Sequence, residues 1–257
     1  MRKTIIAGNW KMYKTIVEAI DLSTILKRDL FEVDFQAIDV VLCPAFTALS
    51  EVSEVISESE IKLGAQDVYW QEEGAFTGEV SCKMLKDAGC NFVIIGHSER
   101  RQFFGETNET VNKKLNAVLG HGLLPILCVG ENLQEREKGV TFKVLDDHLE
   151  NGLKGISQDD LLKTTIAYEP VWAIGTGKTA TPQQAQEAHN YIRKTLARLY
   201  SKEVAAEARI QYGGSVKPDN IGDLMRQPDV DGALVGGASL SAESFTAIVK
   251  KAEEVKK

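Results

Sequence analysis

Eight short runs rich in Val, Ile, Leu and Thr recur along the 257 residues, at 4–8, 37–42, 62–65, 92–95, 125–129, 165–168, 210–212 and 232–235. Their lengths and β-branched content suit strands. Longer stretches with helical spacing of apolar positions separate them, among them 16–30, 111–119, 140–153 and 182–200. The last begins with Thr181 as N-cap and Pro182 at the first helical position. Strands alternating with helices pair in parallel, because each crossover helix returns the chain to the same end of the sheet. Eight such units close into a single-domain (β/α)₈ barrel spanning 1–257. An open doubly wound sheet is the alternative, but no G-x-G-x-x-G follows the first run. No Ser/Gly/Pro-rich linker or charge block divides the chain.

In such barrels chemistry gathers where the strands end. After the first run stand Asn9-Trp10-Lys11, after the fourth His97-Ser98-Glu99-Arg100, after the sixth Glu169, after the seventh Gly213-Gly214-Ser215, and after the eighth Gly236-Gly237. Pro170 disfavours the helical region for Glu169, so Glu169 reads as the last extended residue of its strand. A carboxylate on so rigid a mount is poised for proton transfer. The residues that follow, Val171-Trp172-Ala173-Ile174-Gly175-Thr176-Gly177-Lys178-Thr179, read as a short lid with stiff ends and a flexible middle.

The two glycine doublets permit close backbone approach, and successive N–H groups there form an anion-binding concavity at the corner where these barrels commonly hold phosphate. His97 precedes what reads as a first helical turn, a position that disfavours the imidazolium and leaves a neutral donor. Lys11 and Asn9 can stabilise negative charge growing on a carbonyl oxygen. The set points to proton abstraction beside a carbonyl in a small phosphorylated substrate, with no metal or cofactor. His121, His148 and His189 lack partner motifs and read as structural. Gly177-Lys178-Thr179 fails as a nucleotide-binding P-loop, since the required Gly five positions earlier is Trp172.

Composition removes other classes. A net charge of −7 without a basic stripe argues against a nucleic-acid surface. No apolar stretch approaches membrane-spanning length, and the apolar part of the N-terminus is too short for a signal peptide. Cys43, Cys82, Cys90 and Cys128 form no CxxC pair and read as free thiols of a reducing compartment, so a cytoplasmic protein is expected. Loop 66–80 is long and holds Tyr69, Trp70 and Phe76, which suggests a protein contact.

Gly8-Asn9-Trp10-Lys11-Met12, Gly96-His97-Ser98-Glu99-Arg100-Arg101, Ala167 through Gly177, Tyr212-Gly213-Gly214-Ser215 and Leu234-Val235-Gly236-Gly237-Ala238-Ser239, in this order, resemble the triosephosphate isomerase family over nearly the full length. The resemblance implies a TIM barrel that interconverts dihydroxyacetone phosphate and D-glyceraldehyde 3-phosphate through a cis-enediolate, in glycolysis and gluconeogenesis. It implies Glu169 as the base, His97 as a neutral electrophile, and Asn9 and Lys11 as stabilisers of the enediolate. Backbone N–H groups of Gly175, Ser215 and Gly237, with Gly236 beside them, would hold the phosphate, and Glu99 would lie near Lys11. It further implies lid hinges at Pro170-Val171-Trp172 and Lys178-Thr179-Ala180, and a homodimer in which loop 66–80, with Thr77 and Gly78, docks beside the partner's site. Tyr13 departs from the Asn many members carry at the subunit contact. Two rivals are weaker. A Schiff-base aldolase would want a lysine on one of strands five to eight, and a non-catalytic binder would lack one of Lys11, His97 and Glu169.

Overall fold

The computed structural model describes residues 2–173 and 179–256. Its strands are β1 Thr4–Asn9, β2 Ile38–Cys43, β3 Lys62–Ala65, β4 Phe92–Ile95, β5 Leu124–Val129, β6 Thr165–Tyr168, β7 Arg209–Tyr212 and β8 Gly232–Val235. Each pairs in parallel with the next, and β1 closes on β8. The expected (β/α)₈ barrel is therefore the architecture, and the open sheet is excluded.

The period of two along each strand divides the apolar residues between two cores. Ile5, Val41, Phe92, Ile94, Ile126 and Leu234 pack together in the lumen. The alternate residues Ile6, Val40, Leu42 and Ile166 face outward and meet helix residues such as Leu26, Ile192 and Phe245. A fully buried Leu, Ile or Phe contributes roughly 1.5–3 kcal/mol, so neither layer is dispensable. Several of the helices that cover the barrel start at side-chain caps. Thr15 and Glu18 form a capping box at Ile16–Asp29, and Thr181 and Gln184 form another at Pro182–Leu199, with Pro182 in the first turn. Each cap stabilises its helix by about 1 kcal/mol.

The two mouths of the barrel differ. At the N-terminal mouth Arg209 of β7 donates to Asp39 of β2 at 2.6 Å, and Lys3 reaches the same carboxylate at 2.6 Å. That mouth is plugged by paired charge. The opposite mouth carries a cleft.

Candidate active site

A cleft of about 740 Å³ opens at the C-terminal ends of the strands, and Asn9, Lys11, His97, Glu99, Ser215, Gly236 and Gly237 all line it. Asn9 is the last residue of β1, and its side-chain oxygen accepts from the Lys11 N–H at 3.0 Å. That bond bends the chain so tightly that Lys11 adopts φ +52°, a left-handed conformation costly for a side-chain-bearing residue. Gln66 holds the bend from below, its amide donating to the Lys11 carbonyl at 2.8 Å and the Cys43 carbonyl at 2.9 Å. The Lys11 ammonium pairs with Glu99.

His97 follows β4 and caps the helix Ser98–Phe103. Its Nδ1 accepts from the Glu99 N–H at 3.2 Å, so Nδ1 carries no proton and a neutral ring carries it on Nε2. That Nε2 lies 3.0 Å from Oε1 of Glu169. Gly96, before it, has φ +72° and leaves room for the Arg101 guanidinium, which would lie 3.0 Å from a Cβ.

Glu169 comes directly after β6, and its N–H still continues the ladder to the Val129 carbonyl at 2.8 Å. Its carboxylate is only 1% exposed and accepts from the Ser98 N–H at 2.9 Å and the Ser98 hydroxyl at 3.1 Å. It sits beside the cleft, not in its lining. Burial and the neighbouring Glu169 charge push the Cys128 thiol well above its usual range, so Cys128 backs the carboxylate as a neutral group.

At one corner, Ser215 and the turn Gly237–Leu240 face the same cleft. The first N–H groups of such a turn have no acceptor within it. Gly214 is held to glycine by the Tyr212 hydroxyl, which a Cβ would approach to 2.2 Å.

Three residues that sequence reasoning did not single out shape this site. Ser98 holds the carboxylate, Gln66 holds the Lys11 bend, and buried Glu131 accepts from Tyr168 at 3.1 Å and from Trp172 Nε1 at 2.9 Å. Ser98 stood next to His97, and Glu131 lies two residues beyond the end of the fifth strand, which was the available signal. Val171–Ala173 forms a helical turn, whereas Gly175, Lys178 and the middle of the expected lid lie outside the described residues. Among the described residues no group of three or more His, Cys, Asp or Glu side chains could hold a metal ion.

Loop 66–80 begins buried at Asp67 and Val68, and its residues 71–79, Thr77 and Gly78 among them, are exposed. Its aromatics pack on one another, Tyr69 to Trp70 at 4.1 Å and Tyr69 to Phe76 at 4.8 Å between ring centres. Beside the cleft, Met12 is 94% exposed, and with Tyr13, Ala45 and Thr47 it borders a second hollow. No helix among the described residues is long and apolar enough to cross a membrane.

A family model described as triosephosphate isomerase matches residues 4–252. Among similar proteins, the triosephosphate isomerase of Moorella thermoacetica is 59% identical over 249 residues, covering 97% of this chain and 98% of that protein. That of Prosthecochloris aestuarii is 57% identical over 254 residues, covering 99% of this chain and all of its own length. That of Carboxydothermus hydrogenoformans is 56% identical over 250 residues, covering 97% and 99%.

Proposed function

The chain belongs to the triosephosphate isomerase family and interconverts dihydroxyacetone phosphate and D-glyceraldehyde 3-phosphate, and we propose that Glu169, His97 and Lys11 carry out that reaction. The observation that carries the assignment is the 3.0 Å approach of the Glu169 carboxylate to His97 Nε2 at the edge of a cleft that Lys11 and Asn9 also line. In this reading Glu169 leaves Ser98, takes a proton from one substrate carbon and returns it to the neighbouring carbon. His97 Nε2–H donates to the oxygens of the cis-enediolate, and a neutral imidazole suits the task because its proton can be both given and recovered. The Lys11 ammonium and the Asn9 amide stabilise the negative charge. Glu99, paired to Lys11 and donating its N–H to His97, keeps both in register. Backbone N–H groups of Ser215 and Gly237, with Gly236 alongside, hold the phosphate, joined by Gly175 from the lid.

The same reading extends to a cytoplasmic protein whose residues 1–257 form one domain and which acts as a homodimer without metal or cofactor. The exposed Met12 and Tyr13, the hollow beside them and the exposed residues 71–79 of loop 66–80 support the dimer. An assay of the purified chain coupled to a dehydrogenase that consumes one triose phosphate tests the activity. Turnover is expected in the presence of a chelator. Activity abolished by the chelator and restored by a divalent ion would overturn the metal-free reading.

A further inference from the structure

Inside the barrel, the Gln211 amide on β7 and the Thr165 hydroxyl on the adjacent strand β6 find no hydrogen-bond partner among the described residues. The atoms concerned are Nε2 and Oε1 of Gln211 and Oγ1 of Thr165. Both residues are fully buried. Their side chains point into the lumen, as the register shows. Arg209 shares the Gln211 face of β7 and reaches Asp39 on β2, which is not a neighbouring strand, so that bond crosses the barrel. On β6, Thr165 shares its face with Ala167, a member of the luminal core, while Ile166 belongs to the outer one.

We infer that the lumen binds an internal water molecule between the Gln211 amide and the Thr165 hydroxyl. Thr165 pairs with Arg209, two residues before Gln211. With strands about 4.8 Å apart and a rise of about 3.3 Å per residue, the two Cα atoms lie roughly 8 Å apart, a gap that one water and a Gln side chain can span. The cross-strand neighbours of Gln211 are the small residues Ala167 and Gly232. Gly232 is confined to that size, since a Cβ would come 1.9 Å from the Ile5 carbonyl oxygen. A buried water typically makes two to four hydrogen bonds, and an amide donor, an amide acceptor and a hydroxyl supply three polar atoms. Left dry, a buried amide costs a few kcal/mol, a substantial fraction of a domain's stability. The site lies between the Arg209–Asp39 ion pair and the catalytic mouth and does not touch the reacting groups.

A high-resolution crystal structure and solution magnetic relaxation dispersion, which counts long-lived internal waters, test the site. The crystal is expected to show one solvent peak within hydrogen-bond distance of both the Gln211 amide and Thr165 Oγ1. In solution Gln211→Leu and Thr165→Val are each expected to lower the count by about one, with isomerase activity retained. Thr165→Val keeps the side-chain shape, so it reads the hydroxyl alone if Gln211→Leu folds poorly. A dry amide in the crystal, an amide bonded only to protein groups, or a count unchanged in Thr165→Val would overturn the inference.

Discussion

Gly213 stands behind the carboxylate of Glu169, the proposed base: a Cβ there would come 2.9 Å from its Cγ. Displacing the base by even a fraction of an ångström matters, because a 1 Å misplacement can cost about 10²-fold in rate. Gly213→Ala is therefore expected to lower kcat by about 10- to 100-fold with KM little changed. Unaltered steady-state kinetics would show that Glu169 has room to spare. Lys11 illustrates the same economy at the other side of the cleft. Its left-handed backbone costs roughly 1–2 kcal/mol, offset by the Asn9 and Gln66 bonds that fix the ammonium's origin. At this scale the sequence was informative about which charged residues end the strands. It was silent on Gln66 and Ser98, whose importance lies in which backbone group or carboxylate they meet, a fact of three-dimensional proximity.

Between β5 and β6 the backbone is packed without slack. A Cβ on Gly130 would fall 1.8 Å from the Glu169 carbonyl oxygen, a backbone atom that cannot rotate away. Gly130→Ala should destabilise the fold by at least about 2 kcal/mol, lowering Tm by roughly 4–8 °C in a scanning-calorimetry comparison. The helix Pro182–Leu199 carries a different liability. Burial drops the His189 pKa to about 4, and its Nδ1 is 3.1 Å from the Asp229 carbonyl. Unfolding returns it to about 6.5. The unfolded chain thus binds the extra proton between those values, so this contribution is complete above pH 6.5 and is lost as pH falls towards 4. It amounts to about 2 kcal/mol between pH 7 and 5. Denaturant titrations at those two pH values should show a smaller drop for His189→Gln than for the parent, and equal drops would contradict the linkage. Strand positions were legible from apolar runs, and the bounds of β3, β4, β6 and β8 matched, whereas the other four strands shifted by one residue. Arg209 and Leu124 joined β7 and β5, and Cys43 and Asn9 extended β2 and β1, one residue beyond the expected bounds. Arg209 extends its strand because Asp39 across the lumen neutralises it, a partner 170 positions away.

For the molecule as a whole, eight alternating units sufficed to read the closed barrel, because only closure satisfies both edges of an eight-stranded parallel sheet. The placement of the proposed catalytic groups follows from that closure: Lys11 and Glu99 lie 88 positions apart in sequence yet form an ion pair. The proposed dimer is a property of the surface, and Thr77 tests it. Thr77→Arg would bury an unpaired charge in the contact, so sedimentation should show a weakened dimer and activity should fall with it. An intact, fully active dimer would place the contact elsewhere. The central claim is that the Glu169 carboxylate moves the proton, and steady-state kinetics of Glu169→Asp test it most directly. Shortening the side chain by one methylene should cut kcat by about 10²-fold and leave KM within a few-fold, since binding rests on the phosphate corner. A kcat close to that of the parent would contradict the account.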